Sequence, residues 1–492
     1  ITLGGDLTVV FGIRYDWYSS SDQPAYNQKF FDRQGFANTS TIDGLDLIQP
    51  RLGFNWTITP DFSMRGGVGL YSGGNPNVWL SNNFSNDGFR IAQLRESVIE
   101  RDPPPPENCG EGVDFSLFDI PLTGGGNPLY DIPQCQFDAI AFADPDSGVN
   151  ALDPKFDLPK AWKYNLGATW SFGDGYVLNS DLLFTQAEDS ALIINGTMEQ
   201  TGFAPDGRPI YTDPRRFNSD YILTNVKGDD AESFQISLGL SKAYDNGFDW
   251  SLGYAYTDAK DVSPMTSSVA FSNYANISVR DPNNPGLGVS NYEIPHRFTF
   301  RMGYAAYWWG DNRTLFTLSG ASNQGRPYSY TFAADDGDTF GDFIDNRHLL
   351  YVPTGEDDPL VQFAPGFDVD AFFDALQRND LMQYKGGIVP RNSNYSDWWT
   401  YFDIRVEQEF PAFAEGHKFA GWITVKNFCN LLNSEWCVLR QVSFPRRQAI
   451  VDMEISPDGQ YYIYEDYIEP SGQGRVTDPS LWEIRVGLTY RF

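Results

Sequence analysis

Ile48-Gln49-Pro50-Arg51-Leu52-Gly53-Phe54-Asn55-Trp56-Thr57-Ile58-Thr59 alternates along its whole length. Ile48, Pro50, Leu52, Phe54, Trp56 and Ile58 fall on one side of an extended chain; Gln49, Arg51, Gly53, Asn55, Thr57 and Thr59 fall on the other. Successive side chains of a strand point to opposite faces, so this is a strand with one apolar and one polar face. The pattern recurs. Trp162, Tyr164, Leu166, Ala168, Trp170 and Phe172 alternate with Lys163, Asn165, Gly167, Thr169 and Ser171. Phe248, Trp250, Leu252, Tyr254 and Tyr256 do so with Asp249, Ser251, Gly253, Ala255 and Thr257. The chain ends the same way: Trp482, Ile484, Val486, Leu488, Tyr490 and Phe492 against Glu483, Arg485, Gly487, Thr489 and Arg491.

The connections alternate as well. Short turns are expected near Thr59–Asp61, Gly173–Gly175, Tyr244–Gly247, Gly310–Asn312, Pro411–His417 and Ser456–Gly459. Long connections are expected near 19–47, 73–158, 198–220, 262–293, 327–397, 428–446 and 469–480. This spacing gives about fourteen strands. Short turns on one rim and long loops on the other describe an outer-membrane barrel. Walking back from Phe492, every long loop lands on the same rim. Most strands reach the roughly 9–11 residues that cross tilted hydrocarbon, and lipid offers no partner to an open edge. The fold expected is all-β, a transmembrane antiparallel barrel. Aromatics at strand ends (Trp162, Trp170, Tyr254, Trp308, Trp399, Trp482) would lie at the lipid interfaces. Arg51, Arg65, Arg297, Arg301, Arg405, Arg485 and Arg491 would point inward with Asp249, Asp403, Glu407 and Glu409. A two-sheet sandwich shows the same alternation; strand length and loop asymmetry favour the barrel.

Composition narrows the function. The 492 residues carry 65 acidic and 35 basic side chains, a net charge of −30. That balance excludes a nucleic-acid binder, whose phosphate contacts need Lys and Arg. With 13 Trp, 27 Tyr and 37 Phe the chain is too aromatic to be disordered. No run of about eighteen apolar residues offers a helical span. The start carries no initiator Met and no signal peptide, so the chain is expected to be processed or a fragment. No Gly-x-Ser-x-Gly or His-Glu-x-x-His motif occurs, and no enzyme is expected.

Several segments resemble TonB-dependent receptors of the Oar-like branch. They are Gln49-Pro50-Arg51-Leu52-Gly53-Phe54, Arg65-Gly66-Gly67-Val68-Gly69-Leu70, and Gly74-Asn75-Pro76-Asn77-Val78-Trp79-Leu80-Ser81-Asn82. Asp258-Ala259-Lys260, Pro295-His296-Arg297, Gly325-Arg326-Pro327 and Asn430-Leu431-Leu432-Asn433 continue the likeness. Tyr490 and Phe492, closing Gly487-Leu488-Thr489-Tyr490-Arg491-Phe492, resemble the signal read by the barrel assembly machinery. The resemblance implies a barrel of about 22 strands around a plug, of which 1–492 would be the C-terminal portion, with large extracellular loops about 73–158 and 327–397. The other reading is a complete, smaller barrel. The resemblance further implies the outer membrane of a Gram-negative bacterium, with its lipid bilayer and lipopolysaccharide. It implies a TonB complex engaging the missing N-terminal part, and substrate capture by extracellular loops. A peptide, protein, glycan or metal-chelate substrate and a surface lipoprotein are partners it leaves open. The alternative function is a passive channel or an adhesion barrel without energised transport.

Candidate sites follow from the loops. Cys109 with Cys135, and Cys429 with Cys437, form two local pairs that suit disulfides in an oxidising compartment; four unrelated thiols is the plainer reading. Asp335, Asp336 and Asp338 could hold Ca²⁺, against a solvated acidic loop, and no other cofactor is expected. Trp79, Phe84, Tyr274, Tyr328 and Tyr330 are candidate ligand contacts, although aromatics also serve as packing residues. A short helix is expected over Phe367–Leu376.

Overall fold

The computed structural model describes residues 2–3, 6–73, 76–89, 147–216, 218–333 and 339–492. Twelve long strands build one antiparallel sheet. They are β1 (Leu7–Trp17), β2 (Asp46–Thr59), β3 (Phe62–Ser72), β4 (Lys160–Phe172), β5 (Tyr176–Glu188), β6 (Glu232–Ala243), β7 (Phe248–Asp261), β8 (His296–Trp309), β9 (Asn312–Asn323), β10 (Trp399–Pro411), β11 (Lys418–Lys426) and β12 (Glu483–Arg491). Each pairs with its sequence neighbour, and two-residue strands at Thr2–Leu3 and Gly288–Val289 add to β1 and β7. Among the described residues β1 and β12 do not pair with each other, so the sheet has two edges.

The register carries the alternation across the sheet. Val68, Tyr164, Phe184 and Phe234 stand in one row, and Leu318, Ile404, Val425 and Ile484 in another. These rows face outward. Leu252 keeps 51 % of its surface exposed and Leu488 keeps 70 %. An apolar face of this extent has no place in water and fits hydrocarbon. The opposite face is polar. There Arg65 Nη2 lies 2.5 Å from Asp181 Oδ1, and Arg301 pairs with Asp249. Arg491 reaches Glu409 at 2.8 Å and Glu407 at 3.1 Å, while Arg405 reaches Glu407 at 2.8 Å and Lys418 reaches Glu409 at 3.0 Å.

One rim has only tight turns. At Gly247, φ is +85°, and a Cβ there would run into the Ala305 carbonyl oxygen; only glycine suits both demands. The other rim gathers six long connections: 18–45, 73–159, 189–231, 262–295, 324–398 and 427–482. Their described parts are packed structure. Asn150–Leu152, Tyr221–Asn225 and Ala191–Asn195 form a three-stranded sheet. Val361–Phe363, Tyr462–Tyr467, Arg447–Ile455, Pro327–Ala333 and Asn394–Tyr395 form a five-stranded one. The helix Val369–Arg378 starts two residues later than expected, capped by the Asp368 side chain on the Ala371 amide. It buries Phe372, Ala375 and Leu376 in a core with Tyr330, Phe332, Ile450, Tyr462 and Tyr464. A second core joins Ile42, Leu80, Leu152, Ile193, Leu223 and Tyr274.

Two expectations need correcting. The turn Ser456–Gly459 does not belong to the tight-turn rim. Its strands, Arg447–Ile455 and Tyr462–Tyr467, lie in the loop module, where Ile450, Val451, Met453, Tyr462 and Tyr464 are buried. Trp399 does not face the lipid side either. It shares a face with Tyr401 and donates from Nε1 to the Cys437 carbonyl. Its neighbour Trp398 is the outward one, stacked with His296 and Phe298.

Candidate functional site

The site is the mouth, where the polar face meets the loop module. Charge separates there. The six long connections hold 47 acidic and 20 basic residues, so they carry 27 of the 30 net negative charges. The strands and tight turns are close to neutral.

Buried and half-buried cations tie the connections together. Arg33 holds Asp220 through two nitrogens, at 2.9 Å each, joining 18–45 to 189–231. Arg391 donates to the Val262 carbonyl at 2.8 Å, the Gly288 carbonyl at 3.0 Å and Asp261 Oδ1 at 2.9 Å. Beside it Asn392 donates to the Val289 carbonyl, and the Tyr395 hydroxyl donates to Glu293 at 2.5 Å. Together they clip the return leg of 324–398 onto the end of β7. Burial pushes the Glu293 carboxyl above its ordinary value, against the Tyr395 and Ala259 donors that favour its charged form. Arg447 donates to the carbonyls of Ala275 and Ile277, joining 427–482 to 262–295. Burial, and then Arg347 nearby, push it down to about 9.

The aromatic candidates spread over this module. Tyr274 is 2 % exposed, with its hydroxyl on Met198 Sδ at 2.8 Å. Tyr328 and Tyr330 are buried in the larger core with their hydroxyls 3.4 Å apart. Trp79 and Phe84 are half-buried on the helix Asn77–Ser85, and Trp79 Nε1 donates to the Ser267 carbonyl at 3.1 Å. The structure does not bring the five rings to one surface. Cys429 and Cys437 form a disulfide. Cys109, Cys135, Asp335, Asp336 and Asp338 lie outside the described residues. Among the described residues no three His, Cys, Asp or Glu side chains gather as metal ligands. Asp358, from the Glu356-Asp357-Asp358 run, instead accepts from the Thr354 and Leu360 amides at 2.6 and 2.8 Å. Tyr490 meets His417 Nδ1 at 2.6 Å, and Phe492 is 95 % exposed.

Sequence reasoning did not single out Arg208, Arg347, Arg391 or Arg447. All four lie within long polar connections, Arg447 beside Arg446, where a charge reads as solvated. One signal was available for Arg391 and Asn392: they directly follow the apolar Ile388-Val389-Pro390 run inside a polar loop.

A family profile described as an outer membrane beta barrel domain matches residues 3–434. Solved structures with a similar trace include the outer membrane transporter YddB from Escherichia coli. It is 11 % identical, with a TM-score of 0.42, covering 91 % of this chain and 41 % of that one. The FrpB iron transporter from Neisseria meningitidis (F5-1 variant) is 12 % identical, with a TM-score of 0.39, covering 100 % and 44 %. A mutant of the ferric enterobactin receptor PfeA from Pseudomonas aeruginosa is 10 % identical, with a TM-score of 0.39, covering 91 % and 40 %. The chain thus spans about two fifths of the length of these structures. No curated protein matches the chain. The profile covers most of the chain and agrees with the apolar outward face: this chain belongs to the outer membrane β-barrel domain family and resides in the outer membrane of Gram-negative bacteria.

Proposed function

We propose that the chain is the C-terminal part of a TonB-dependent transporter of the Oar-like branch. In this reading β1 to β12 form part of the wall of a larger barrel, closed by further strands and filled by a plug. The loop module receives the substrate outside, and TonB acts on the plug from the periplasm. The observation that carries the reading is the sheet itself: apolar outside, charged inside, with every long connection on one rim and, among the described residues, no pairing between β1 and β12. The Oar-like segments quoted above add the branch, and the substrate classes that go with it in this reading are a peptide or protein, a glycan or a metal chelate. The final Tyr490 and Phe492, on the outward face, are the assembly signal in this reading, and Asp335, Asp336 and Asp338 a Ca²⁺ site in the acidic rim.

The test is made on the full-length protein in planar bilayers and in its host. A plugged transporter shows no steady conductance, and depleting TonB abolishes uptake by cells. Steady ungated conductance, with uptake or adhesion unchanged without TonB, would instead establish the passive barrel.

A further inference from the structure

Arg326, Arg446 and Tyr292 come from three different connections, 324–398, 427–482 and 262–295, and meet at one place on the rim. The Arg326 guanidinium stands over the Tyr292 ring, 5.8 Å from its centroid. Arg446 lies beside both. Burial, and then the neighbouring Arg326 charge, push it below its ordinary value, against the opposite pull of Tyr292. Neither guanidinium pairs with a carboxylate among the described residues. Arg446 Nε is buried without an acceptor. Its two Nη atoms and the Arg326 guanidinium are open to the surface, and they have no hydrogen-bond partner among the described residues. Two like charges side by side without a counter-charge are costly. Here they stand in a set of connections with a net charge of −27, none of whose described carboxylates is placed against them.

The cluster lies on the lipid side of the rim. His296 and Phe298 face outward on β8, stacked with Trp398, and Ser322 of β9 stands opposite Phe298. The Gln324 amide donates to the His296 carbonyl, which carries that register one residue past β9. Arg326 and Tyr292 keep the parity of Ser322 and His296, and the contact between them fits that placement. The surroundings are exposed aromatics: Trp398 at 49 %, Tyr292 at 57 %, and Phe444, two residues before Arg446, at 64 %. The depth follows from the strand. The outward row of β8 runs from His296 to Trp308. Steps of about 3.3 Å per residue, on strands tilted about 40°, give that row a rise of about 30 Å, the thickness of the hydrocarbon core. Arg326 and Tyr292 stand just beyond it, at the level of the outer headgroups. We propose that Arg326, Arg446 and Tyr292 grip a phosphate group of the glycolipid in the outer leaflet. Guanidinium groups match phosphate oxygens through paired N–H donors, and the Tyr292 hydroxyl adds one more donor. The phosphate supplies the counter-charge that the chain leaves out, and the bound lipid ties three connections together from the membrane side. The inference rests on the outer-membrane location and does not depend on what the barrel transports.

Full-length protein in detergent is mixed with phosphorylated lipid A, with lipid A stripped of its phosphate, or with inorganic phosphate, at equal ionic strength. The readouts are lipid retained, counted by native mass spectrometry, and amide hydrogen exchange over 290–294 and 442–448. Phosphorylated lipid A at about ten times its dissociation constant should slow that exchange about tenfold where opening frees the lipid. Stripped lipid A and inorganic phosphate should leave it unchanged. Arg326→Gln and Arg446→Gln should each lose retention and protection, with exchange across the twelve-strand sheet unaltered. Arg326 is the safer of the two for folding, since its guanidinium is open to the surface and touches only the Tyr292 ring. Equal retention of phosphorylated and stripped lipid A would overturn the site, as would full retention in either variant. Inorganic phosphate protecting as well as lipid A would overturn the glycolipid as the occupant.

Discussion

Arg391 shows how much a single residue does at the mouth. Its guanidinium spans the end of β7, the return of 262–295 and the return of 324–398. Replacing it with Met leaves Asp261 buried without its partner, a loss of about 3–5 kcal/mol when a buried pair is broken. Arg391→Met should make 324–398 sensitive to protease while amide exchange across the twelve-strand sheet stays unchanged; equal protease resistance would remove the clip from the account. Glu293 adds a pH dependence. Its proton is held more tightly in the folded clip than in an unfolded chain, because burial outweighs its donors. Stability of the clip therefore falls as pH rises from the ordinary glutamate range through the raised value. Beyond the rise common to all amides, hydrogen exchange over 288–296 should quicken as pH climbs above about 4.5, and Glu293→Gln should remove that extra slope. None of these side chains was legible beforehand. A lone Arg in a polar loop carries no periodicity, and burial of a charge is decided by carbonyls far away in sequence.

At the scale of elements, the strands were legible and their sorting was only partly so. Alternation located β2, β4, β7 and β12 because lipid and lumen demand opposite polarities on successive residues. The same alternation in Arg447–Ile455 and Tyr462–Tyr467 reads as wall, yet this hairpin is the middle of the module's larger sheet. Walking along the chain to count rims cannot detect that error, because a hairpin adds two strands and leaves the parity unchanged. Nor does periodicity show that long connections are folded, since their cores join segments hundreds of residues apart. Two elements can be tested. Phe372→Ala in the helix Val369–Arg378 removes a fully buried ring and should cost about 3–5 kcal/mol. The loss should show as faster exchange over 361–378, with the wall unchanged. Reducing Cys429–Cys437 releases a loop whose closure contributes about 2.5 kcal/mol in the chain-entropy view. New tryptic cleavage at Arg440 should follow; cleavage at the same rate before reduction would show that the bond restrains nothing.

For the whole molecule, the net charge of −30 is better read as two numbers. The wall is close to neutral, and the six long connections carry a net charge of −27. Repulsion among those carboxylates works against a compact module, and divalent cations relieve it more than monovalent salt does. Millimolar Ca²⁺ or Mg²⁺ should therefore slow proteolysis of the module more than sodium chloride of equal ionic strength, with no change in the wall. Equal protection by both would reduce the effect to ordinary screening.

The placement of the hairpin Arg447–Tyr467 also dictates a timetable. It supplies two central strands of a sheet whose other members come from 324–398, yet it follows β11 in the chain. The larger core cannot close until both 324–398 and 427–482 stand on the same side of the membrane. Whichever arrives first waits with its share of that core uncovered: Tyr330, Phe332 and Phe372 from the one, Ile450, Tyr462 and Tyr464 from the other. Biogenesis of this protein thus includes an interval in which half of the crown is exposed without its partner.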